Sequence, residues 1–195
     1  MSAHHDHPEP LAPVAARVAA LESILVERGV VDSSVVEQIM QGMAESFGPM
    51  NGAQVVARAW IDPAFQSRLI DDATSALAEL GFGHAGEMAV VPNTSLVHNV
   101  VVCTLCSCYP WSLLGLPPTW YKSLAYRSSM VRDARATLAE MGTDVPDDVE
   151  IRVWDSSAEI RYLVLPERPA NTDGLDEDAL ASLVTRDSMV GVERL

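Results

Sequence analysis

Apolar positions along the first eighty residues recur at helical spacing. Val14, Val18, Leu21, Ile24 and Leu25 share one face of a helix that begins at Pro13, and Gly29 stops it. Asp32 is placed to cap a second helix through Val35, Val36, Ile39 and Met43, closing near Gly48-Pro49. A third helix is predicted over 51–60. Asp62 before Pro63 reads as the cap and first residue of a fourth, which runs to Leu80 and stops at Gly81. Beyond Gly81 the rhythm changes to short β-branched runs, and strands are predicted at 88–91, 97–102, 150–154 and 161–165. A Pro- and Trp-rich loop spans 111–120, a helix follows over 128–141, and Asp176 opens a last short helix. The run 189–192 reads as a closing strand. The fold class is α+β: a polar, His-rich flexible tail at 1–12, an N-terminal helical arm at 13–84, and a mixed α/β layered domain at 85–195.

Composition fits one domain, or a small domain with an extended arm. The chain has 195 residues, 48% of them hydrophobic, and a mean hydropathy of +0.11, so it can build a real core. The four amphipathic helices suit an arm wrapped around a partner chain as well as a free-standing bundle. No apolar run approaches the ~20 residues of a membrane helix, and no signal-peptide pattern opens the chain, so a soluble cytoplasmic protein with no membrane partner is expected. The 13 Lys and Arg stand against 27 Asp and Glu, giving a net charge of −14. Such a surface repels phosphate backbones and argues against nucleic acid as a partner.

Chemistry concentrates in one place. The three cysteines, Cys103, Cys106 and Cys108, fall within six residues, which excludes a disulfide framework. A C-x-x-C pair alone suits zinc or a redox dithiol. With a third cysteine one residue on, the Cys106 and Cys108 sulfurs and the backbone nitrogens of Ser107 and Cys108 define a tetragonal plane, and Cys103 reaches it axially. Deprotonated amides gain nothing from tetrahedral zinc but suit a trivalent strong-field ion. Five protein ligands leave one position open, the mark of a catalytic metal. A structural zinc or copper site, or reactive thiols, remains the alternative from the cysteines alone.

The segment Cys103-Thr-Leu-Cys-Ser-Cys108 resembles the metal claw of nitrile hydratase alpha subunits, and the resemblance extends over most of the chain. It runs through NGAQVVARAW (51–60), VHNVVVCTLCSCYPW (97–111), LGLPPTWYKS (114–123), IRVWDSSAEIRYLVLPERPA (151–170) and LVTRDSMVGV (183–192). The resemblance implies hydration of a nitrile to its amide at a non-corrin cobalt(III) or non-haem iron(III) centre, one metal per chain. Thr104 resembles the cobalt branch, where the iron branch has Ser. The implied ligands are Cys103, Cys106, Ser107 and Cys108, with Cys106 a sulfinic acid, Cys108 a sulfenic acid and Cys103 an unoxidised thiolate. Cys108, Ser107 and Arg161 are the implied catalytic group; Ser107 and Arg161 supply donors to the oxidised sulfurs. Asp155 and Glu159 sit where the family has acids that orient arginines of a second subunit. Tyr109 and Trp111 are candidates for the wall of a small-nitrile pocket. A beta subunit, in a heterodimer or heterotetramer, and a cobalt-delivery activator are the implied partners, and the chain alone is expected to be inactive. Two departures from the family pattern stand out: Ala85 replaces Gln ahead of Gly86-Glu87, and Met50 replaces a more usual Arg.

Two rival readings share these features. The claw-bearing subunit of thiocyanate hydrolase carries the same motif, although Trp111 and Leu114-Gly-Leu-Pro-Pro118 favour the nitrile enzyme. A non-catalytic metal carrier or redox sensor predicts exchangeable metal and unmodified thiols. Other motifs read as structural. Gly81-Phe-Gly-His-Ala-Gly86 has the G-x-G-x-x-G spacing but follows a helix and precedes a strand, the reverse of the dinucleotide context. His98 is expected to make structural hydrogen bonds at a strand end, Trp60 and Trp154 to belong to the core, and the acidic run at 144–150 to be a solvated turn.

Overall fold

The structure, a computed structural model, describes residues 12–35, 38, 48–82, 87–105 and 108–195. Residues 1–11 of the expected tail, Val36, Ile39 and Met43 of the second helix, and Ala85 lie outside them, as do Cys106 and Ser107. The chain divides between Ser46 and Phe47 into two units. In the first, α1 (Ala12–Glu27) is followed by Gly29 at φ +65, and Asp32 accepts from the Ser34 backbone N–H at 2.8 Å and its hydroxyl at 2.7 Å. That pair of bonds holds the Asp32 carboxyl below its ordinary pKa, as an N-cap should.

The second unit gathers the remaining described helices and all the strands around one core. Its helices are α2 (Pro49–Ile61), α3 (Pro63–Asp71), α4 (Ala73–Glu79), α5 (Trp111–Leu114), α6 (Leu124–Arg132), α7 (Ala134–Glu140), α8 (Glu177–Ala181) and α9 (Arg186–Val190). Residues of α2 to α4, expected in the arm, pack with the strands: Val55, Val56, Phe65, Leu69 and Leu77 share a buried cluster with Val100, Val101, Leu163 and Val164. The Trp60 indole donates to the Pro166 carbonyl at 2.9 Å, tying α2 to the segment after the last strand. Asp62 caps α3, accepting from the Ala64 and Phe65 amides.

Two expected helices are each broken by an aspartate. Asp72 accepts from the Ser75 amide at 3.0 Å and its hydroxyl at 2.6 Å, ending α3 and starting α4. Asp133 accepts from the Ala136 amide at 3.0 Å and separates α6 from α7. A side chain that caps a new helix out-competes continuation of the old one. The expected closing strand at 189–192 is instead the end of α9. Thr185 and Ser188 form a reciprocal capping box, and Gly191 closes the helix at φ +90. That local hydrogen bonding overrides the β-branched look of the run.

The four strands, β1 (Met88–Pro92), β2 (Val97–Val102), β3 (Glu150–Asp155) and β4 (Arg161–Leu165), pair in parallel as β1–β4 and β2–β3. The register sets Val102 beside Asp155 and Met88 beside Arg161. The chain leaving β2 therefore emerges next to the end of β3.

His98, at the start of β2, is 2% exposed and makes structural hydrogen bonds. Its Nε2 donates to the Gly191 carbonyl at 2.8 Å, so Nδ1 accepts from the Asn93 amide, 3.3 Å away. The Asn93 oxygen, fixed by the Asn99 backbone N–H at 2.7 Å, sets that amide's orientation. Burial lowers the His98 pKa from its ordinary 6.5, partly opposed by the Gly191 bond, with the Arg194 charge lowering it further. The unfolded chain thus binds a proton here more readily than the folded one, and stability present above pH 6.5 is lost as pH falls below it. Thermal unfolding midpoints should decline from neutral toward about pH 5, ahead of carboxylate titration, and His98→Gln should flatten that slope. An unchanged slope would remove His98 from the account.

Candidate metal centre

The cysteine loop begins where β2 ends. Cys103 is fully buried and Cys108 half-buried. The entry to the loop is held from the β3 side: the Ser156 amide donates to the Val102 carbonyl at 2.7 Å. The two oxygens of Asp155 accept from the Thr104 amide at 2.9 Å and the Thr104 hydroxyl at 2.5 Å. This is a direct consequence of the parallel register, which brings Asp155 level with Val102.

On its other side the loop is held by one short stretch of chain. Tyr126, in the first turn of α6, donates its hydroxyl to the Val101 carbonyl at 2.7 Å. Arg127 places Nη1 3.5 Å from the Thr104 carbonyl, and Tyr121 donates to the Cys108 carbonyl at 3.1 Å. Three carbonyls, before, within and at the end of the loop, are thus received by donors from residues 121–127. The rings behind them pack edge to face, Tyr109 on Tyr121 at 5.0 Å and Trp120 on Tyr126 at 4.9 Å. Burial drives the Tyr121 hydroxyl far above its ordinary pKa, and the charge of Cys103 pushes in the same direction. Tyr109 and Tyr126 are raised likewise, chiefly by burial, so all three hydroxyls stay neutral, and Tyr121 and Tyr126 serve as donors.

The other expected site residues are distributed around this loop. Tyr109 is 3% exposed with its hydroxyl enclosed, so it is a packing residue beneath the loop in this chain by itself, while Trp111, opening α5, is 41% exposed. Leu105, in the loop, is 91% exposed. Glu159 is exposed in a turn where its amide donates to the Ser157 hydroxyl. Arg161 opens β4, half-buried, with its amide donating to the Glu87 carbonyl at 3.0 Å. Sequence reasoning missed Tyr121, Tyr126, Arg127 and Ser156 as supports. Their one advance signal was density: three of the four tyrosines, Tyr109, Tyr121 and Tyr126, lie within about twenty residues of the cysteines.

The donor set fits a soft or borderline transition metal. Cys103 and Cys108 are brought to one loop, away from water on the Cys103 side. Among the described residues there is no group of three His, Cys, Asp or Glu placed to hold a metal ion, and Cys106, the third sulfur, lies outside them. A cleft lined by Asn93, His98, Pro166, Glu167 and Arg194, among others, lies at the opposite end of β2 from the cysteines.

Comparison with known proteins agrees with this loop's chemistry. The family described as nitrile hydratase, alpha chain, matches residues 12–193. The low-molecular weight cobalt-containing nitrile hydratase subunit alpha of Rhodococcus rhodochrous is 56% identical over 92% of this chain and 87% of its own. Thiocyanate hydrolase subunit gamma of Thiobacillus thioparus is 39% identical over 89% of this chain and 76% of its own. Among solved structures, a histidine double mutant of the Fe-type nitrile hydratase from Comamonas testosteroni Ni1 superposes with a TM-score of 0.87 at 41% identity, covering 95% of this chain and 92% of that one. With the family match spanning nearly the whole chain and its cysteine loop, this protein belongs to the nitrile hydratase alpha-chain family.

Proposed function

We propose that this chain, paired with a beta subunit in the cytoplasm, hydrates small nitriles to amides at one low-spin cobalt(III) ion. Its ligands are Cys103, Cys106 and Cys108 and the backbone nitrogens of Ser107 and Cys108. Cys106 is the sulfinic and Cys108 the sulfenic acid, and an activator protein delivers the cobalt. The observation that carries this reading is the cysteine loop itself, buried at Cys103 and held at the Val101, Thr104 and Cys108 carbonyls. A chain that holds its backbone on both flanks of the claw favours the fixed geometry that sulfurs and amides need. Thr104, and the greater identity to a cobalt-containing relative than to the Fe-type structure, favour cobalt over iron.

Bound there, the metal supplies a Lewis acid that polarises the nitrile carbon toward an oxygen nucleophile. The chain's own residues do the rest. Asp155, through Thr104, fixes the first turn of the loop. Arg161 and Ser107 donate to the oxidised sulfurs, Trp111 provides apolar wall, and Tyr109 shapes that wall from beneath. Asp155 and Glu159, both exposed, face the partner's arginines.

Mass spectrometry of the peptide spanning Cys103, Cys106 and Cys108, from protein coexpressed with its beta subunit in cobalt medium, tests this. Two added oxygens on Cys106 and one on Cys108 are expected, and three plain thiols in a metal-loaded sample would point to a carrier or sensor. Turnover of acrylonitrile, rather than of thiocyanate alone, separates this reading from thiocyanate hydrolysis.

A further inference from the structure

We infer that Arg127 is a positioning residue for the metal claw, its guanidinium fixing the Thr104 limb of the loop and offsetting the claw's negative charge. The inference rests on the cobalt-claw reading above. Thr104 lies between the first and second sulfur ligands of that reading, so a group that grips its carbonyl grips the span between them.

Three observations carry it. The guanidinium is itself anchored, with Nη2 on the Lys122 carbonyl at 2.8 Å and Nε on the Ser123 carbonyl at 3.4 Å, while Nη1 reaches Thr104 at 3.5 Å. Its planar fork therefore joins the cysteine loop to the start of α6, a geometry a flexible ammonium holds less well. Arg127 also gains no support from its helix's dipole. It sits at the beginning of α6 (Leu124–Arg132), where the helix dipole is positive and an acidic residue would be favoured. Reaching from the Lys122 and Ser123 carbonyls to Thr104, the guanidinium is placed to offset negative charge on the loop. The claw supplies that charge: three anionic sulfurs and two deprotonated amides around a trivalent ion leave the centre net anionic, in a chain already at −14. Finally, Arg127 is flanked by Tyr126 and lies close in sequence to Tyr121, the two neutral donors to the same loop. Among these three donors it alone brings charge.

The test uses enzyme coexpressed with its beta subunit in cobalt medium and compares Arg127→Lys, Arg127→Gln and Arg132→Gln. Arg132 lies on the same helix, is exposed, and among the described residues bonds within the helix, its Nε meeting the Ser128 carbonyl at 3.1 Å, so it controls for loss of one charge. Cobalt per heterodimer, the sulfur-to-cobalt charge-transfer absorption, and kcat and KM for acrylonitrile are read. Arg127→Gln should lose cobalt retention or kcat by about 10- to 100-fold and shift the absorption band, with KM much less affected. Arg127→Lys should recover most of the cobalt, and Arg132→Gln should match wild type. Equal behaviour of the Lys and Gln variants, or of Arg127→Gln and Arg132→Gln, would overturn the inference. So would a folded, assembled Lys variant without cobalt, which decides the matter even if Arg127→Gln does not assemble. Wild-type enzyme without cobalt or nitrile turnover would instead sink the underlying functional reading.

Discussion

Cys108→Ala should abolish nitrile hydration while leaving a folded chain. The loss in kcat is expected to be on the order of a thousandfold or more, because the substitution removes a sulfur ligand and, with it, the sulfenate proposed to deliver or activate the attacking oxygen. The fold should tolerate the change. The Cys108 side chain is only half-buried, and the bond that holds this end of the loop, from the Tyr121 hydroxyl, goes to its backbone carbonyl, which alanine retains. Stability should therefore fall by no more than about 1 kcal/mol. Cobalt per heterodimer, acrylonitrile turnover and the thermal midpoint, measured on one coexpressed preparation, distinguish this from simple misfolding. Retained hydration would refute the role given to Cys108. Lost hydration together with lost assembly would mean that the sulfur is needed to build the loop as well as to use it.

That separation between backbone frame and sulfur chemistry also explains which parts of the site were legible beforehand. The cysteines announce themselves, since residue type and spacing alone point to a metal. The frame does not. Tyr126, Arg127 and Tyr121 reach carbonyls 25, 23 and 13 residues earlier in the chain, and no local pattern says where a hydroxyl or guanidinium will end up once α6 has packed. Asp155 shows the same limit. Its resemblance to family acids implied partner arginines, but not the bonds that both of its oxygens also accept from Thr104, a contact fixed by strand register.

The fold divides along similar lines. The four strands among the described residues fell where β-branched runs predicted them; burial leaves few alternatives for β1, β2 and β4, while the largely exposed β3 follows from its pairing with β2. Asp72 and Asp133 were hidden inside apolar periodicity that continued across them, and only their capping bonds reveal the breaks. The run 189–192 failed as a strand for the opposite reason. Its side chains suit a strand, but Thr185 and Ser188 cap a helix just upstream, and Gly191 ends it in a conformation few other residues adopt. The arm boundary expected at residue 84 rested on a change of period from helix to strand. Period reports the type of element and not which core it joins, and α2 to α4 join the core of the strands.

Gly191→Ala should be among the most destabilising single substitutions available. Its φ of +90 already disfavours any L side chain by about 1–2 kcal/mol. A Cβ built there would also lie 2.1 Å from the Asn99 carbonyl oxygen and 2.8 Å from the Val100 Cα, backbone atoms of β2 that cannot swing aside. Relief requires α9 and β2 to move apart. That motion would break the His98 bond to the Gly191 carbonyl and disturb the strand that delivers Cys103 to the loop. The combined loss should exceed about 4 kcal/mol, a large share of a domain's total stability. Gly142→Ala is the matched control: φ is +92, but nothing lies within 4 Å of its Cβ, so it should cost only the backbone penalty of about 1–2 kcal/mol. Denaturant midpoints of the coexpressed enzyme compare the two directly, with soluble yield as the readout if Gly191→Ala does not fold at all. Equal costs would mean that α9 does not press on β2 as described. A much larger cost at Gly191, accompanied by lost cobalt in whatever protein folds, would tie the close approach of helix and strand to the placement of the metal loop.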